Sequence, residues 1–397
     1  MLNKDSVKKV VMEFGSPLYV YDENIIRKRC KEIKELVPLE YYSPSYSMKA
    51  NSNRTLLKII KECGLNIDTV SVGEIYLCIE SGIKRDEIFY LSNNATDEEL
   101  YYAIQNDILV SVDSIDQLIR YGNLNPGGKV SVRINPGKGA GHSDKVITAG
   151  KSKFGIPISQ LAEAFRVSEG ANVLIIGFNQ HIGSLYLEIE TFLQMANVLL
   201  QQSEEWSSVE FVDFGGGFGV PCYEGGKRLD MEQLGKKLTS LILESQKRTG
   251  NKLKQVMVEP GRYVVAESGY LVGRVTSIKE SFGEIYIGTD LGFNHLIRPM
   301  LYDAVHEINI LNDSKERIKA NIVGNICESG DVFAKQRLVN KPEVEDLILI
   351  KTVGAYGYSM SSNYNSRLRP AEILITKAGQ FELIRERETL ETLKMGM

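Results

Sequence analysis

The sequence contains few cysteines, and their spacing argues against two kinds of structural cross-link. Five cysteines, an odd number, are scattered over 397 residues without any C-x-x-C pair. A disulfide framework uses paired cysteines in an oxidising compartment, and a structural zinc site uses closely spaced thiolates or imidazoles. We therefore expect neither a disulfide framework nor a metal site.

Long apolar runs and blocks of like charge are also missing. No stretch approaches the roughly 18 apolar residues of a membrane span, and the N-terminal residues lack the apolar core of a secretory signal. The formal net charge of -4 is spread along the chain, whereas proteins that bind nucleic acid or anionic membranes concentrate positive charge. We expect a cytoplasmic protein whose partner is a small molecule, and neither nucleic acid nor a membrane.

The chain does contain a repeated alternation of strand-like and helix-like segments between residues 26 and 265. Short apolar runs are followed by longer amphipathic stretches, as in repeated β-α units. The eight candidate strands lie within LEYYSPSYSMKA, NIDTVSV, EIFYLSN, ILVSVDS, KVSVRINPG, VLIIGFNQHIGS, VEFVDFGGGFG and QVMVEPGRY. Eight units favour a (β/α)8 TIM barrel over an open doubly wound sheet.

The remainder of the chain predicts a second domain. The sequence is 43% hydrophobic and 25% charged, which is typical of a globular protein, and its length favours more than one domain. After residue 265, β-rich segments separated by turn residues predict a mostly antiparallel β domain. We therefore predict an α/β barrel over 26–265 and a β domain over 1–25 and 266–397, to which SPLYVYD contributes a strand.

Polar residues and glycines follow many of the candidate barrel strands. The active site of such a barrel is built at the C-terminal ends of its strands. The residues predicted at these ends are Lys49, Asp68, Asn93, Arg133, His181, Gly215 to Gly217, and Glu259 to Arg262.

Several of these residues could bind a cofactor, although each has a simpler explanation. Lys49 in SMKAN could form a Schiff base, but most lysines are solvated surface groups. The glycines of DFGGGFG could bring backbone N–H groups to a phosphate or could form a tight turn, and they do not match the dinucleotide fingerprint. Glu259 and Arg262 in EPGR could form a structural ion pair, and His181 could be a satisfied core histidine.

Taken together, these residues match the binding requirements of pyridoxal 5'-phosphate. A lysine amine reacts with its aldehyde, backbone N–H groups and an arginine bind its phosphate, a carboxylate pairs with its ring nitrogen, and an imidazole stacks on its ring. Lys49, the glycine triplet, Arg262, Glu259 and His181 can supply these groups. A carboxylate that keeps the ring nitrogen protonated favours carbanion chemistry, as amino-acid decarboxylation requires.

Motifs in the expected order along nearly the whole chain carry a family resemblance. They are SMKANSN, DTVSVGEI, NNATDEEL, VSVRINPG, SKFGI, HIGS, FGGGFG, EPGRYVVAESG, GFNHLIRPMLYDAVHEI, CESGDVFAK and GAYGYSMSSNYNSRLRPAE. The sequence resembles the fold-type III pyridoxal-phosphate enzymes, the alanine racemase and ornithine decarboxylase superfamily, and within it the diaminopimelate decarboxylases.

The resemblance implies a set of functional residues. It implies that Lys49, His181 and Cys327 are catalytic, with Lys49 as the Schiff-base lysine. The implied cofactor-binding residues are Lys49, Asp68, His181, Ser184, Gly215, Gly216, Gly217, Glu259, Gly261, Arg262 and Tyr356. The implied substrate-binding residues are Arg262, Arg298, Tyr302, Glu328 and Tyr356.

The resemblance also implies the reaction and the assembly. The expected reaction is decarboxylation of meso-2,6-diaminopimelate to L-lysine and CO2, the last step of lysine biosynthesis. Arg298 suits a distal carboxylate and Glu328 a distal ammonium. The family places the cysteine of CESGD in the partner subunit's site, which implies a homodimer with shared active sites.

Some residues leave alternatives open. The composition alone would make Cys327 a buried filler, whereas the resemblance makes it the acid that protonates the product carbanion. Leu185, Phe293 and His295 depart from the residues common in the family, which bears on substrate preference. The alternatives are a related decarboxylase acting on another amino acid and a non-catalytic binding protein of the same shape. The segment 138–153 could order over the site, and His142 within it is expected to be solvated.

Overall fold

The computed structural model describes residues 2–141, 143–223, 225–250 and 252–397, so that His142 lies outside the described residues. The α-helices, in chain order, are α1 (Lys4–Phe14), α2 (Glu23–Lys34), α3 (Arg54–Glu62), α4 (Val72–Glu80), α5 (Asp97–Gln105), α6 (Ile115–Leu124), α7 (Leu161–Gly170), α8 (Ile189–Glu205), α9 (Met231–Thr249), α10 (Arg262–Val265) and α11 (Arg298–Tyr302). The strands are β1 (Leu18–Asp22), β2 (Ser45–Ser47), β3 (Asn66–Thr69), β4 (Ile88–Leu91), β5 (Leu109–Val112), β6 (Lys129–Asn135), β7 (Ile156–Pro157), β8 (Leu174–Asn179), β9 (Phe211–Asp213), β10 (Gln255–Met257), β11 (Gly269–Ser281), β12 (Glu284–Thr289), β13 (Ile308–Ile310), β14 (Arg317–Val323), β15 (Val332–Asn340), β16 (Leu347–Lys351), β17 (Ala371–Ile375) and β18 (Phe381–Arg385).

The chain divides into two compact units. One comprises 28–220 and 227–264, and the other comprises 1–27, 221–226 and 265–397. We call them the barrel unit and the β unit. In the described ranges, no helix is long and apolar enough to cross a membrane.

The barrel unit contains eight parallel strands in the order β10-β9-β8-β6-β5-β4-β3-β2, with the short β7 paired to β6. A parallel bridge between Tyr42 and Val256 joins the two ends of this order, and the Ser45 N–H donates to the Val258 carbonyl at 2.9 Å. Each of the eight strands lies in one of the apolar runs that predicted it, so the predicted barrel is confirmed. Helices α3 to α9 connect successive strands, which places every strand's C-terminal end at the same mouth.

Apolar side chains from different strands fill the barrel interior. Phe89 and Leu91 of β4 pack with Phe211 of β9 and Met257 of β10. Gly177 of β8 makes room for this layer, because a Cβ atom there would lie 2.1 Å from the Phe211 ring. The mouth above this filled interior is the surface on which a site can be built.

The β unit is a mostly antiparallel sheet, as predicted. Its main order is β15-β14-β12-β11-β1-β17-β18, with β16 paired to β11 and β13 paired to β16. Strand β1, which contains the LYVYD of SPLYVYD, pairs antiparallel with β11 and parallel with β17. A parallel pair, β12 with β14, is a further exception to the antiparallel pattern.

Helix α1 supplies an apolar face to the β-unit core, and it was not predicted from the sequence. Val7, Val10 and Val11 are buried on one side of the helix, at the spacing of an amphipathic helix. They pack with residues of β1, β11, β16 and β17, among them Val20 and Val272. Asn3 caps the helix by accepting the Ser6 N–H through its side chain at 2.9 Å.

Candidate active site

Lys49 lies at the mouth of the barrel, in the short turn Met48–Ala50 that follows β2. Its Nζ lies 4.0 Å from Oδ2 of Asp68, a fully buried carboxyl in β3. The other Asp68 oxygen accepts a hydrogen bond from the Ser47 hydroxyl at 3.1 Å. The parallel pairing of β2 with β3 sets Ser47 opposite Asp68, so the sheet register brings the lysine to its carboxyl neighbour.

Three buried carboxyls cluster at this mouth: Asp68, Asp213 and Glu259 are 0%, 0% and 2% exposed. Burial, followed by the charges of Asp213 and Asp68, raises the pKa of Glu259 well above its ordinary value. Burial raises the pKa of Asp213 to about 6. The buried guanidinium of Arg133 lies in the field of all three, and burial lowers its pKa despite them. Several negative charges can share this small volume only if protons or cations compensate them.

His181 is held as a neutral imidazole. Its Nδ1 accepts the Gly216 N–H at 3.3 Å, which leaves Nε2 as the ring nitrogen that carries the proton. Burial, followed by the positive charges of Lys49 and Arg133, lowers the pKa of His181 well below its ordinary value. An uncharged, fixed ring suits stacking on a flat heteroaromatic group.

The glycine triplet is packed tightly against the two segments that flank it. A Cβ at Gly216 would lie 2.1 Å from the Glu259 carbonyl oxygen, and a Cβ at Gly217 would lie 2.2 Å from the Gly183 carbonyl oxygen. Gly217 also has a φ of 98°, which favours glycine. The close approach brings three segments, 181–184, 215–217 and 259–262, to one place.

Arginine and serine side chains meet beside the glycine triplet. Nη2 of Arg262 donates to the Ser184 hydroxyl at 3.1 Å. Gly261 allows this turn to approach β2, because a Cβ there would lie 2.9 Å from the Ser47 carbonyl oxygen. The Gly217 N–H, the Ser184 hydroxyl and the Arg262 guanidinium therefore lie close together, which is a donor set suited to a phosphate.

In the β unit, three of the predicted substrate-binding residues lie together. The Arg298 guanidinium carbon lies 5.3 Å from the centroid of the Tyr302 ring and 5.7 Å from that of the Tyr356 ring. Tyr356 has a φ of 57°, an uncommon left-handed conformation for a residue with a side chain. Arg298 is 4% exposed.

The CESGD segment, residues 327–331, is also in the β unit. Cys327 is a free, exposed cysteine, so it is not a buried side chain that fills space in the core. Glu328 accepts a hydrogen bond from the Tyr364 hydroxyl at 2.6 Å. The segment packs beside α11, because a Cβ at Gly330 would lie 3.3 Å from Met300.

Comparison with known proteins identifies the family of the chain. The family described as pyridoxal-dependent decarboxylase, pyridoxal binding domain, matches residues 23–266. The chain is 38% identical to the diaminopimelate decarboxylase of Methanothermobacter thermautotrophicus, over 97% of this chain and 92% of the relative. It is 33% identical to that of Escherichia coli K12, over 99% of this chain and 96% of the relative.

The chain belongs to the diaminopimelate decarboxylase family. The crystal structure of diaminopimelate decarboxylase from Helicobacter pylori complexed with L-lysine is similar to it, with a TM-score of 0.90 and 29% identity over 97% of this chain and 98% of that one.

The barrel residues fit the cofactor of this family, pyridoxal 5'-phosphate. Oε1 of Glu259 is buried and has no hydrogen-bond partner among the described residues, so it can accept the ring N–H. Lys49 lies at the same mouth, where its amine can reach the aldehyde. The glycine triplet, together with Ser184 and Arg262, can hold the phosphate.

Sequence reasoning missed several residues of the site. It assigned no role to Asp213, which lies two residues before Gly215 and accepts the Gly215 N–H at 2.9 Å through Oδ1. It also missed Glu74, whose pKa burial raises to about 7, and Tyr186, whose hydroxyl donates to the Gly216 carbonyl at 2.9 Å. A position at the end of a predicted barrel strand could have identified Asp213. Glu74 and Tyr186 carry no comparable signal.

The described part of the segment 138–153 lies against the segment that contains His181. The Thr148 hydroxyl donates to the His181 carbonyl at 2.7 Å, and the Ala140 N–H donates to the Ile182 carbonyl at 3.0 Å. These contacts join the segment to the loop that holds the imidazole.

The three departures from the family pattern have different surroundings. Leu185 has a φ of 60°, a left-handed conformation. His295 is buried, and its ring accepts the Gly292 N–H through Nδ1 and donates to the Leu368 carbonyl through Nε2, both at 3.2 Å. Phe293 stacks on Tyr364, with ring centroids 5.5 Å apart. Phe293 therefore contacts the tyrosine whose hydroxyl donates to Glu328, a predicted substrate-binding residue.

Proposed function

We propose that this protein catalyses the pyridoxal 5'-phosphate-dependent decarboxylation of meso-2,6-diaminopimelate to L-lysine and CO2. The observation that carries the proposal is that one barrel mouth holds both Lys49, beside Asp68, and the buried Glu259, on whose pKa the charge of Lys49 acts. The membership of the chain in the diaminopimelate decarboxylase family supports this substrate.

In the barrel unit, each residue has a proposed task. Glu259 would accept the ring N–H through Oε1, and the Lys49 amine would hold the cofactor at its aldehyde, while Asp68 would stay beside the lysine amine. His181 would stack on the ring as a neutral imidazole. When bound, the cofactor supplies an electron sink for the carbanion left after CO2 departs.

In the β unit, the proposed tasks concern the substrate. The guanidinium of Arg298 holds the distal carboxylate with its fork of donors, and Glu328 pairs with the distal ammonium. Tyr302 and Tyr356, which flank Arg298, complete this binding group. An ornithine-like substrate has no distal carboxylate for Arg298, which favours diaminopimelate over that alternative.

Cys327 is the proposed proton donor. Its Sγ delivers a proton to the α carbon after CO2 has left, and it does so in the active site of a partner subunit. The exposure of Cys327 in the single chain supports this proposal, because a thiol that acts in another subunit must reach the protein surface. We accordingly propose a homodimer with shared sites.

The domain boundaries are proposed as 26–265 for the cofactor-binding barrel, and 1–25 with 266–397 for the β domain. The division into two compact units and the match of the family over 23–266 support them. The cytoplasmic location stays a prediction from the sequence.

A substrate panel tests the function. Purified protein supplied with pyridoxal 5'-phosphate is incubated with meso-diaminopimelate, L-ornithine, L-arginine or L-lysine, and released CO2 is measured. We expect CO2 from meso-diaminopimelate alone, with L-lysine as the product. Turnover of another amino acid in its place would support the related-decarboxylase alternative. A cofactor absorbance band that Lys49→Ala does not abolish, with no turnover, would support the binding-protein alternative.

A further inference from the structure

Glu328 is held by a tyrosine, Tyr364, that is not among the predicted functional residues. The Tyr364 hydroxyl donates to Oε1 of Glu328 at 2.6 Å, although the two residues are 36 positions apart. Both side chains are exposed, and an exposed glutamate ordinarily rotates among several conformations. A short hydrogen bond from a neutral donor restricts that rotation without neutralising the carboxylate, and the second carboxylate oxygen can accept an ammonium N–H.

The ring of Tyr364 is itself fixed by Phe293. The two rings stack with an interplanar angle of 24° and centroids 5.5 Å apart. The Phe293 N–H donates to Oδ1 of Asp331 at 2.7 Å, and Oδ2 of Asp331 accepts the Ile326 N–H at 2.8 Å. The Asp331 carboxylate therefore links Phe293, which stacks on Tyr364, to the CESGD segment, which contains Glu328.

A second set of bonds joins the tyrosine's own segment to the CESGD segment. Oδ1 of Asn365 accepts the Cys327 N–H at 3.2 Å, and the Arg367 guanidinium donates to the Asn325 carbonyl at 2.8 Å. Asn365 has a φ of 57°, in the left-handed region that asparagine tolerates better than most residues. The donor and the acceptor of the Tyr364–Glu328 bond thus lie on segments that are bonded to each other.

We propose that Tyr364 is a positioning residue that sets the orientation of the Glu328 carboxylate and so makes the enzyme select ligands with a distal ammonium. Phe293 contributes by holding the tyrosine ring flat, which a flexible side chain at this position would do less well. The inference rests on the proposed function, because it takes Glu328 as the residue that meets the distal ammonium.

Two ligands that differ only in that ammonium test the proposal. L-lysine has the carboxylate and the ammonium of the distal centre, whereas 6-aminohexanoate has the carboxylate but lacks the ammonium. In Tyr364→Phe, which keeps the ring and removes the hydroxyl, we expect L-lysine to inhibit about ten-fold more weakly. Inhibition by 6-aminohexanoate is expected to change less than two-fold, KM for meso-diaminopimelate is expected to rise, and kcat is expected to change little.

A matched variant and a double variant complete the experiment. Tyr286→Phe removes a similar exposed bond, from the Tyr286 hydroxyl to Oε2 of Glu284 at 3.2 Å, and should leave both inhibition constants unchanged. In a Glu328→Gln background, Tyr364→Phe should add little. Equal weakening of both ligands, or no weakening of L-lysine, would overturn the role of Tyr364. Wild-type protein that does not turn over meso-diaminopimelate would overturn the proposed function first, and this inference with it.

Discussion

The chemistry of individual residues in the barrel mouth depends on burial more than on sequence. The structure buries three carboxyl side chains at this mouth, those of Asp68, Asp213 and Glu259. The pKa of each is raised, with burial as the first cause. The cluster therefore favours a cationic or N–H-bearing ligand that can compensate the negative charge.

At the same scale, Cys327→Ala tests the proposed proton donor. A methyl group cannot deliver a proton, so we expect lysine formation to fall about 100-fold or more. The cofactor absorbance band and the dimer are expected to persist, because the substitution removes only one sulfur atom from an exposed side chain. The partly exposed Cys63, at the end of α3, offers a matched control in Cys63→Ala. Activity equal to wild type in Cys327→Ala would assign the proton to another group.

The buried imidazole of His295 should make stability depend on pH. Burial, followed by the nearby charges of Arg367 and Arg387, lowers its pKa to about 4, against about 6.5 when unfolded. Between these values the unfolded chain binds more protons, so the free energy of unfolding decreases as pH falls from 6.5 towards 4. The expected loss from pH 7.5 to 5 is about 2 kcal/mol.

His295→Gln measures this contribution. The amide side chain can accept the Gly292 N–H and donate to the Leu368 carbonyl, but it does not titrate. Urea unfolding at pH 7.5 and pH 5 should show a smaller pH-dependent shift of the midpoint in the variant than in wild type. All other groups titrate in both proteins, so equal shifts would contradict the prediction.

At the scale of elements, the packing of β8 against β9 requires a residue without a side chain at one position. Gly177 of β8 lies against the Phe211 ring of β9, and a methyl group there would overlap the ring at 2.1 Å. We expect Gly177→Ala to lower the free energy of unfolding by about 1–3 kcal/mol through overpacking. Phe211→Leu in the same chain should recover part of the loss.

Gly170, the last residue of α7, provides the control for this substitution. A Cβ there would meet nothing within 4 Å, so Gly170→Ala should change stability by less than about 0.5 kcal/mol. Thermal unfolding monitored by circular dichroism compares the variants. Equal stability of Gly177→Ala and Gly170→Ala would show that the strands adjust to the added methyl group.

For the whole molecule, shared active sites predict complementation. In a dimer of one Lys49→Ala and one Cys327→Ala subunit, one site carries both substitutions and the other carries neither. Random pairing of co-expressed subunits should restore about a quarter of wild-type activity. Lys49→Ala paired with Glu259→Gln leaves one substitution in each site and should restore none. Failure of the first pair would show that each subunit uses its own Cys327, or that the subunits do not pair.

The elements that were predicted are those with a local signal. Each of the eight barrel strands was visible as a short apolar run, and five of them were followed by a predicted helix-like stretch, because side-chain periodicity is a property of neighbouring residues. Helix α1 was missed, although three valines at helical spacing mark its buried face. The parallel pairing of β12 with β14 also escaped prediction, since 27 residues separate Thr289 from Arg317 and no local pattern specifies such a partner.

By itself, the sequence determined the barrel, the sheet of the β unit and the family, because periodicity and ordered motifs are properties of the chain. Only the tertiary structure decided which groups meet. It placed Asp213 in the carboxyl cluster and joined Tyr364 to Glu328. It also showed that Phe293, one of the departures from the family pattern, stacks on the Tyr364 ring. Such contacts depend on strand register and loop packing, and the distances they require are fixed only when distant segments fold together.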